Sequence, residues 1–68
     1  MEVIVEFPQK EKIKKVFVDK NETIESVVKQ LGYHVDAVVV LCNQTPIPET
    51  TEITNNMKVS LLEVTSKG

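Results

Sequence analysis

The chain has 68 residues, enough for one domain with one small core. At this length only about 60% of the unfolded surface is buried on folding, which excludes two-domain architectures and large cofactor clefts. Ten acids against eight lysines give a formal charge of -2, and the absence of arginine removes the side chain best suited to bidentate phosphate or guanine contacts, so nucleic acid is not an expected partner.

Apolar residues make 41% of the chain, yet Phe7, Phe17 and Tyr33 are its aromatics and Ala37 its single alanine, while Val, Ile and Thr together number 23. Stiff β-branched side chains lose entropy in a helix and pack well on a pleated surface, which argues against a helical bundle. Cys42 is alone and cannot form an intramolecular disulfide. The first residues show neither a charged-then-apolar leader nor a long apolar run, so a soluble, cytoplasmic protein without a membrane partner is expected.

In chain order, residues 1–7 place apolar side chains at every odd position with Glu2 and Glu6 between them, the periodicity of a strand with one buried face. Pro8 lacks a backbone donor and helps end the strand, and the polar stretch 9–12 can turn a hairpin. A second strand is predicted from Ile13 to Val18, with Val16 and Val18 on one face and Lys14 and Lys15 on an exposed edge. Lys10, Lys12, Lys14 and Lys15 are read as a solvated edge that resists pairing with other chains; an acidic partner surface is the alternative, and the interspersed Glu11 dilutes its field.

From Thr23 the period changes, because Ile24, Val27, Val28 and Leu31 fall at i, i+3, i+4 and i+7 and form one helical stripe. Thr23 is expected to cap the first amides, Glu25 suits the positive end of the helix, and Gly32 can adopt the left-handed conformation that stops it. Residues 37–42 form a continuous apolar run, the pattern of a strand inside a sheet. Asn43 and Gln44 offer a turn, and residues 45–48 allow only a short edge strand because Pro46 and Pro48 remove two ladder donors. Ile47 and Ile53 are expected to close the core. Asn55 and Asn56 signal another turn before a last strand from Met57 to Val64, with Val59 and Leu61 facing one way and Ser60, Leu62 and Val64 the other. Residues 65–68 have no reason to pack. Hairpin, helix and further strands in this order describe an α+β domain with a mixed sheet, in which the first and last strands can pair in parallel.

Candidates for chemistry are few. His34 has no second ligand at metal-binding spacing and is read as a loop residue. Cys42 ends an apolar run without a neighbour that would lower its pKa, and is read as core packing. Gly32 and Gly68 are too far apart for a phosphate loop, and Glu22 with Glu25 is read as helix-start electrostatics rather than an acid–base pair. Gly68 remains: its acyl carbon, with no Cβ beside it, is the least hindered the genetic code offers, although taken alone it is read as the end of an ordinary polar tail, as many chains have.

The string from Val18 to Val27, with its Thr23-Ile24-Glu25 helix start, resembles the strand-to-helix junction of ubiquitin-like β-grasp proteins. Leu31-Gly32, the run from Ala37 to Asn43, Pro46-Ile47-Pro48, Ile53 and the run from Val59 to Val64 resemble the ThiS/MoaD sulfur carriers and the small archaeal modifier proteins. The similarity runs from about Val16 to Gly68, and rests on apolar spacing and turns. It implies a ubiquitin-like β-grasp with a mixed four- to five-stranded sheet and one helix across one face, divided into a domain over 1-64 and a flexible tail over 65-68.

The family's activity is also implied. The carrier is not an enzyme and binds no cofactor. An E1-like activating enzyme uses ATP to adenylate the terminal carboxylate, here Gly68, which becomes a thiocarboxylate for a sulfur-acceptor enzyme or is joined to a lysine of a target protein. Lys67 stands where the family has the first glycine of its Gly-Gly end, adding bulk, charge and rotamer entropy where the tail is threaded through a narrow channel. That departure motivates an alternative, a β-grasp interaction module without conjugation chemistry. Asn56-Met57 replaces the family's Gly-Asp before the last strand, and Asn tolerates the left-handed turn. Family partners grip an apolar surface beside the tail, which assigns Leu62 and Val64 to the partner face and lets Phe17 extend it.

Overall fold

Alternation over residues 2–7 buries Val3, Val5 and Phe7 and leaves the even positions half-buried, so β1 (Glu2–Phe7) presents one face to the core. The computed structural model describes residues 1–64; the expected tail over 65–68, with Lys67 and Gly68, lies outside the described residues. After the turn at residues 8–11, β2 (Lys12–Phe17) returns antiparallel to β1, with Val16 opposite Val3 and Lys14 opposite Val5. β2 begins and ends one residue earlier than predicted. Val18, just beyond it, is still buried and its amide donates to the Met1 carbonyl at 2.8 Å.

The apolar stripe becomes α1 (Ile24–Gln30), whose Ile24, Val27 and Val28 are at most 2% exposed. Its end follows from one glycine. Gly32 has φ +88°, and the Gly32 and Tyr33 amides donate to the Lys29 and Val28 carbonyls at 3.0 and 3.1 Å, the paired closure of a Schellman turn. The start differs from expectation. Thr23 makes no side-chain capping bond; the Ile24 and Glu25 amides donate instead to the Thr51 and Glu49 carbonyls, both at 3.0 Å. The segment before the last strand therefore satisfies the first two orphan donors of the helix, and a Thr23↔Glu52 bridge fixes it there.

A short 3-10 turn at Val35–Ala37 replaces the predicted strand start at Ala37, and β3 runs Val38–Cys42. Asn43 and Gln44 have φ of 55° and 68°, the pair of left-handed residues that closes a tight hairpin onto β4 (Thr45–Pro46). Asn56, at φ 63°, leads into β5 (Met57–Glu63). The sheet order is β2-β1-β5-β3-β4, with β1 and β5 parallel in the centre and the other pairs antiparallel.

The described residues form a small α+β domain: a mixed five-stranded sheet with one α-helix. Register puts Val3, Val5, Val16, Val59, Leu61, Val38 and Val40 on one face, where they form the core with Ile24, Val27, Val28 and Ile53. Ile47 and Cys42 pack against that core half-buried. Among the described residues, every buried side-chain nitrogen and oxygen has a hydrogen-bond partner, and no helix is long and apolar enough to cross a membrane.

Candidate functional site

Among the described residues, the opposite face of the sheet carries no helix, and its composition follows from the same register. On β3 and β5, Val39 lies opposite Leu62 and Leu41 opposite Ser60, and the Val64 amide donates to the Ala37 carbonyl at 2.8 Å. Ala37, Val39, Leu41, Leu62 and Val64 therefore make adjoining apolar positions in two neighbouring strands. Leu62, Val39 and Leu41 are half-buried, whereas Val64 is 44% exposed. Toward β1 the face turns polar: Glu6 accepts from Ser60 at 3.4 Å and pairs with Lys58 at 3.6 Å, and Lys15 pairs with Glu2 at 3.4 Å. An apolar patch thus sits where the chain leaves β5, bounded on one side by paired charges.

Leu62 and Val64 fall together in this patch. Phe17 does not. It shares the helix-free face and is 68% exposed, but it stands opposite Glu2 at the start of β1. The β1–β5 register, continued, sets Leu62 level with Pro8. Six residues of strand at ~3.3 Å each put Phe17 ~20 Å away along the sheet. Parity placed Phe17 on the correct face; register placed it at the other end, so it does not extend the patch.

A second feature surrounds the end of β5 and was not anticipated. The Gln9 amide stands in for a missing strand: Glu63 donates its backbone amide to Gln9 Oε1 at 2.8 Å, and Gln9 Nε2 donates to the Glu63 carbonyl at 3.3 Å. Since β1 ends before Pro8, these bonds prolong the ladder beside β5 by one side chain. On the helix side, Lys10 Nζ lies 2.8 Å from Glu63 Oε2 and donates to Tyr33 Oη at 3.0 Å, while the Tyr33 hydroxyl donates to Glu63 Oε2 at 3.1 Å. The Lys10 ammonium also lies 5.6 Å from the centre of the Tyr33 ring, which packs against Phe7 at 6.1 Å.

Electrostatics follow the geometry. Hydrogen bonds from Lys10, then Tyr33, hold the Glu63 carboxyl below the usual carboxylate range, and the bonds to Glu63 and Tyr33 push the Lys10 ammonium above the usual lysine value. The β1–β2 turn, the residue after the helix stop and the end of β5 are thereby tied together where the described chain ends. This network can hold a strand end in place.

The remaining candidates stay apart. His34 is exposed and begins the 3-10 turn, and Cys42 is half-buried and free. Glu22 binds the Asp19 amide at 2.9 Å, which, with a bond from Ser26, holds its carboxyl low; it is a structural acid at the helix approach. Among the described residues, no group of three or more His, Cys, Asp or Glu could hold a metal ion. Lys67 and Gly68 lie outside the described residues. Compared with known proteins, the chain matches no family model and no curated protein.

Proposed function

We propose that the chain is a ubiquitin-like β-grasp protein of the ThiS/MoaD and archaeal-modifier kind, a carrier or modifier that is not itself an enzyme. Its Gly68 carboxylate is adenylated in the cytoplasm by an E1-like partner using ATP, then serves as a thiocarboxylate for a sulfur-acceptor enzyme or is joined to a target lysine. The observation that carries this reading is the strand order β2-β1-β5-β3-β4 around parallel central strands, with an apolar patch of Val39, Leu41, Leu62 and Val64 beside the exit from β5. What supports the reading is an apolar face of the kind a partner could cover, beside the point where the described chain leaves β5.

Lys67 favours a second reading, an interaction module with the same fold that uses the patch without conjugation. One experiment divides the two. The purified chain is incubated with ATP and the E1-like enzyme of its own source, and its intact mass is measured. An adenylate or thiocarboxylate mass is expected for a carrier; an unchanged mass in that cognate pairing, with Lys67→Gly also unreactive, overturns it. A Lys67→Gly variant that reacts where the parent does not assigns the block to the tail and leaves the parent an interaction module.

A further inference from the structure

Glu63 is held twice, by two consecutive residues of the β1–β2 turn, and both grips follow from the pairing of β5. The Val64 amide donates to the Ala37 carbonyl, so these two residues form a hydrogen-bonded pair. Bonded and non-bonded pairs alternate in an antiparallel ladder, so Glu63, opposite Val38, points its amide and carbonyl away from β3. Those groups face the place where β1 would continue. β1 stops at Phe7, and the β1–β5 register carried forward sets Gln9 level with Glu63, where its side chain fills the gap with bonds of 2.8 and 3.3 Å. Alternation sends the Glu63 side chain to the helix face, where Lys10 Nζ and the Tyr33 hydroxyl meet Oε2 at 2.8 and 3.1 Å.

Such a junction can open while the rest of the sheet stays folded. Gln9 and Lys10 are exposed, so water competes for every bond they make. Their turn also holds Glu11 at φ 52°, a left-handed conformation that is costly for a residue with a Cβ, so closure works against backbone strain. Because Gln9 and Lys10 are adjacent, a turn that leaves one grip carries the other with it. We infer that Gln9 and Lys10 act together as a clamp that sets the end of β5, and with it the Leu62 and Val64 side of the apolar patch. Those two residues flank Glu63 in the chain and carry the β5 side of the patch on the opposite face of the sheet. A neighbour that draws Lys10 from Glu63 therefore loosens the patch from the helix face, and by linkage a partner that fixes Leu62 and Val64 steadies the turn. The use of the patch by a partner rests on the function proposed above. The clamp itself does not, and its test needs neither a partner nor an activating enzyme.

Amide exchange and side-chain magnetic resonance on the full chain provide the test. The Glu63 amide donates to Gln9 Oε1, so its exchange rate reads the clamp directly; it should be protected, but less than the Val59 amide at the centre of the sheet. Gln9→Ala should speed Glu63 exchange about fivefold or more. Lys10→Met removes a side chain that bonds neither that amide nor its acceptor, yet it should speed the exchange about threefold or more. It should also move the Gln9 side-chain amide signals toward those of free glutamine and shift the Val64 amide. Lys12→Met takes a cation from the same cleft without removing a bond to Glu63, and should do none of these. All three positions are exposed, so parent-like cooperative unfolding is expected. Parent-rate Glu63 exchange in Lys10→Met, an equal response to Lys12→Met, or Gln9 side-chain signals already at the free-glutamine position in the parent would each overturn the clamp. These responses in a chain that no activating enzyme modifies would defeat the carrier reading alone.

Discussion

Val27→Asp tests the helix stripe most directly. Val27 is 2% exposed and sits in the core cluster beneath α1. Its burial contributes about 1.5 kcal/mol. The introduced carboxyl must then stay charged in the core or take a proton; holding a group of ordinary pKa near 3.9 neutral near pH 7 costs about 4 kcal/mol. The total of about 6 kcal/mol matches or exceeds the stability of a domain at the lower end of the ~5–15 kcal/mol range. The variant should be largely unfolded near pH 7 by far-ultraviolet circular dichroism. The mechanism also has a pH signature. The folded-state pKa of the new group is raised, so its cost shrinks as pH falls toward its unfolded value, and folding should partly return near pH 4.5. Val27→Asn, which cannot titrate, should show no such recovery. A Val27→Asp protein with a cooperative urea transition at the parent's midpoint near pH 7 would refute the assignment of this residue to the core.

Acid stability of the parent should carry the imprint of Glu22 and Glu63, both held below the ordinary carboxylate value of 4.5. Their contribution is present above that value and lost as pH falls through the lowered folded-state pKa, so Glu22→Gln and Glu63→Gln should each flatten the acid limb of a melting-temperature profile; an unchanged limb in both contradicts the hydrogen-bond assignments. Two turn substitutions should act with opposite signs in urea titrations. Gly32→Ala meets no atom within 4 Å but must keep φ +88°, and should destabilise by about 1–2 kcal/mol, while Gln44→Gly, relieving a side chain at φ 68°, should stabilise by up to about 1 kcal/mol. Leu62→Asp should weaken capture of a partner that uses the β3–β5 patch and leave the domain folded, as Leu62 is half-buried on the helix-free face. Lost cooperativity in that variant would instead make Leu62 a core residue.

Local pattern carried much of the fold. Odd positions of β1 are buried, the stripe of α1 faces the core, and Gly32, Asn43 and Gln44 take the left-handed conformations their turns require. Each of these depends on neighbours within a few residues. The helix start does not: Thr23 had the right chemistry, yet the carbonyls of Glu49 and Thr51 reached the amides first because the chain before β5 lies across that end. Capping propensity ranks side chains against solvent, and here the competitor was another part of the backbone.

The site divides in the same way. Period-two alternation assigned Leu62, Val64 and Phe17 to one face, and it can do no more, because parity is unchanged when a strand slides by two residues. Distance along the sheet is set by register, which depends on pairing between residues far apart in the chain. With Val3 opposite Met57, Phe17 falls at the opposite end of the sheet from Leu62. The same offset brings Gln9 beside Glu63, 54 positions away. One register thus removes a residue from the expected partner face and supplies the contacts that hold the end of β5. The patch beside that end is built by β3 and β5 alone, and the exposed Phe17 belongs with Ile13 on the edge of β2.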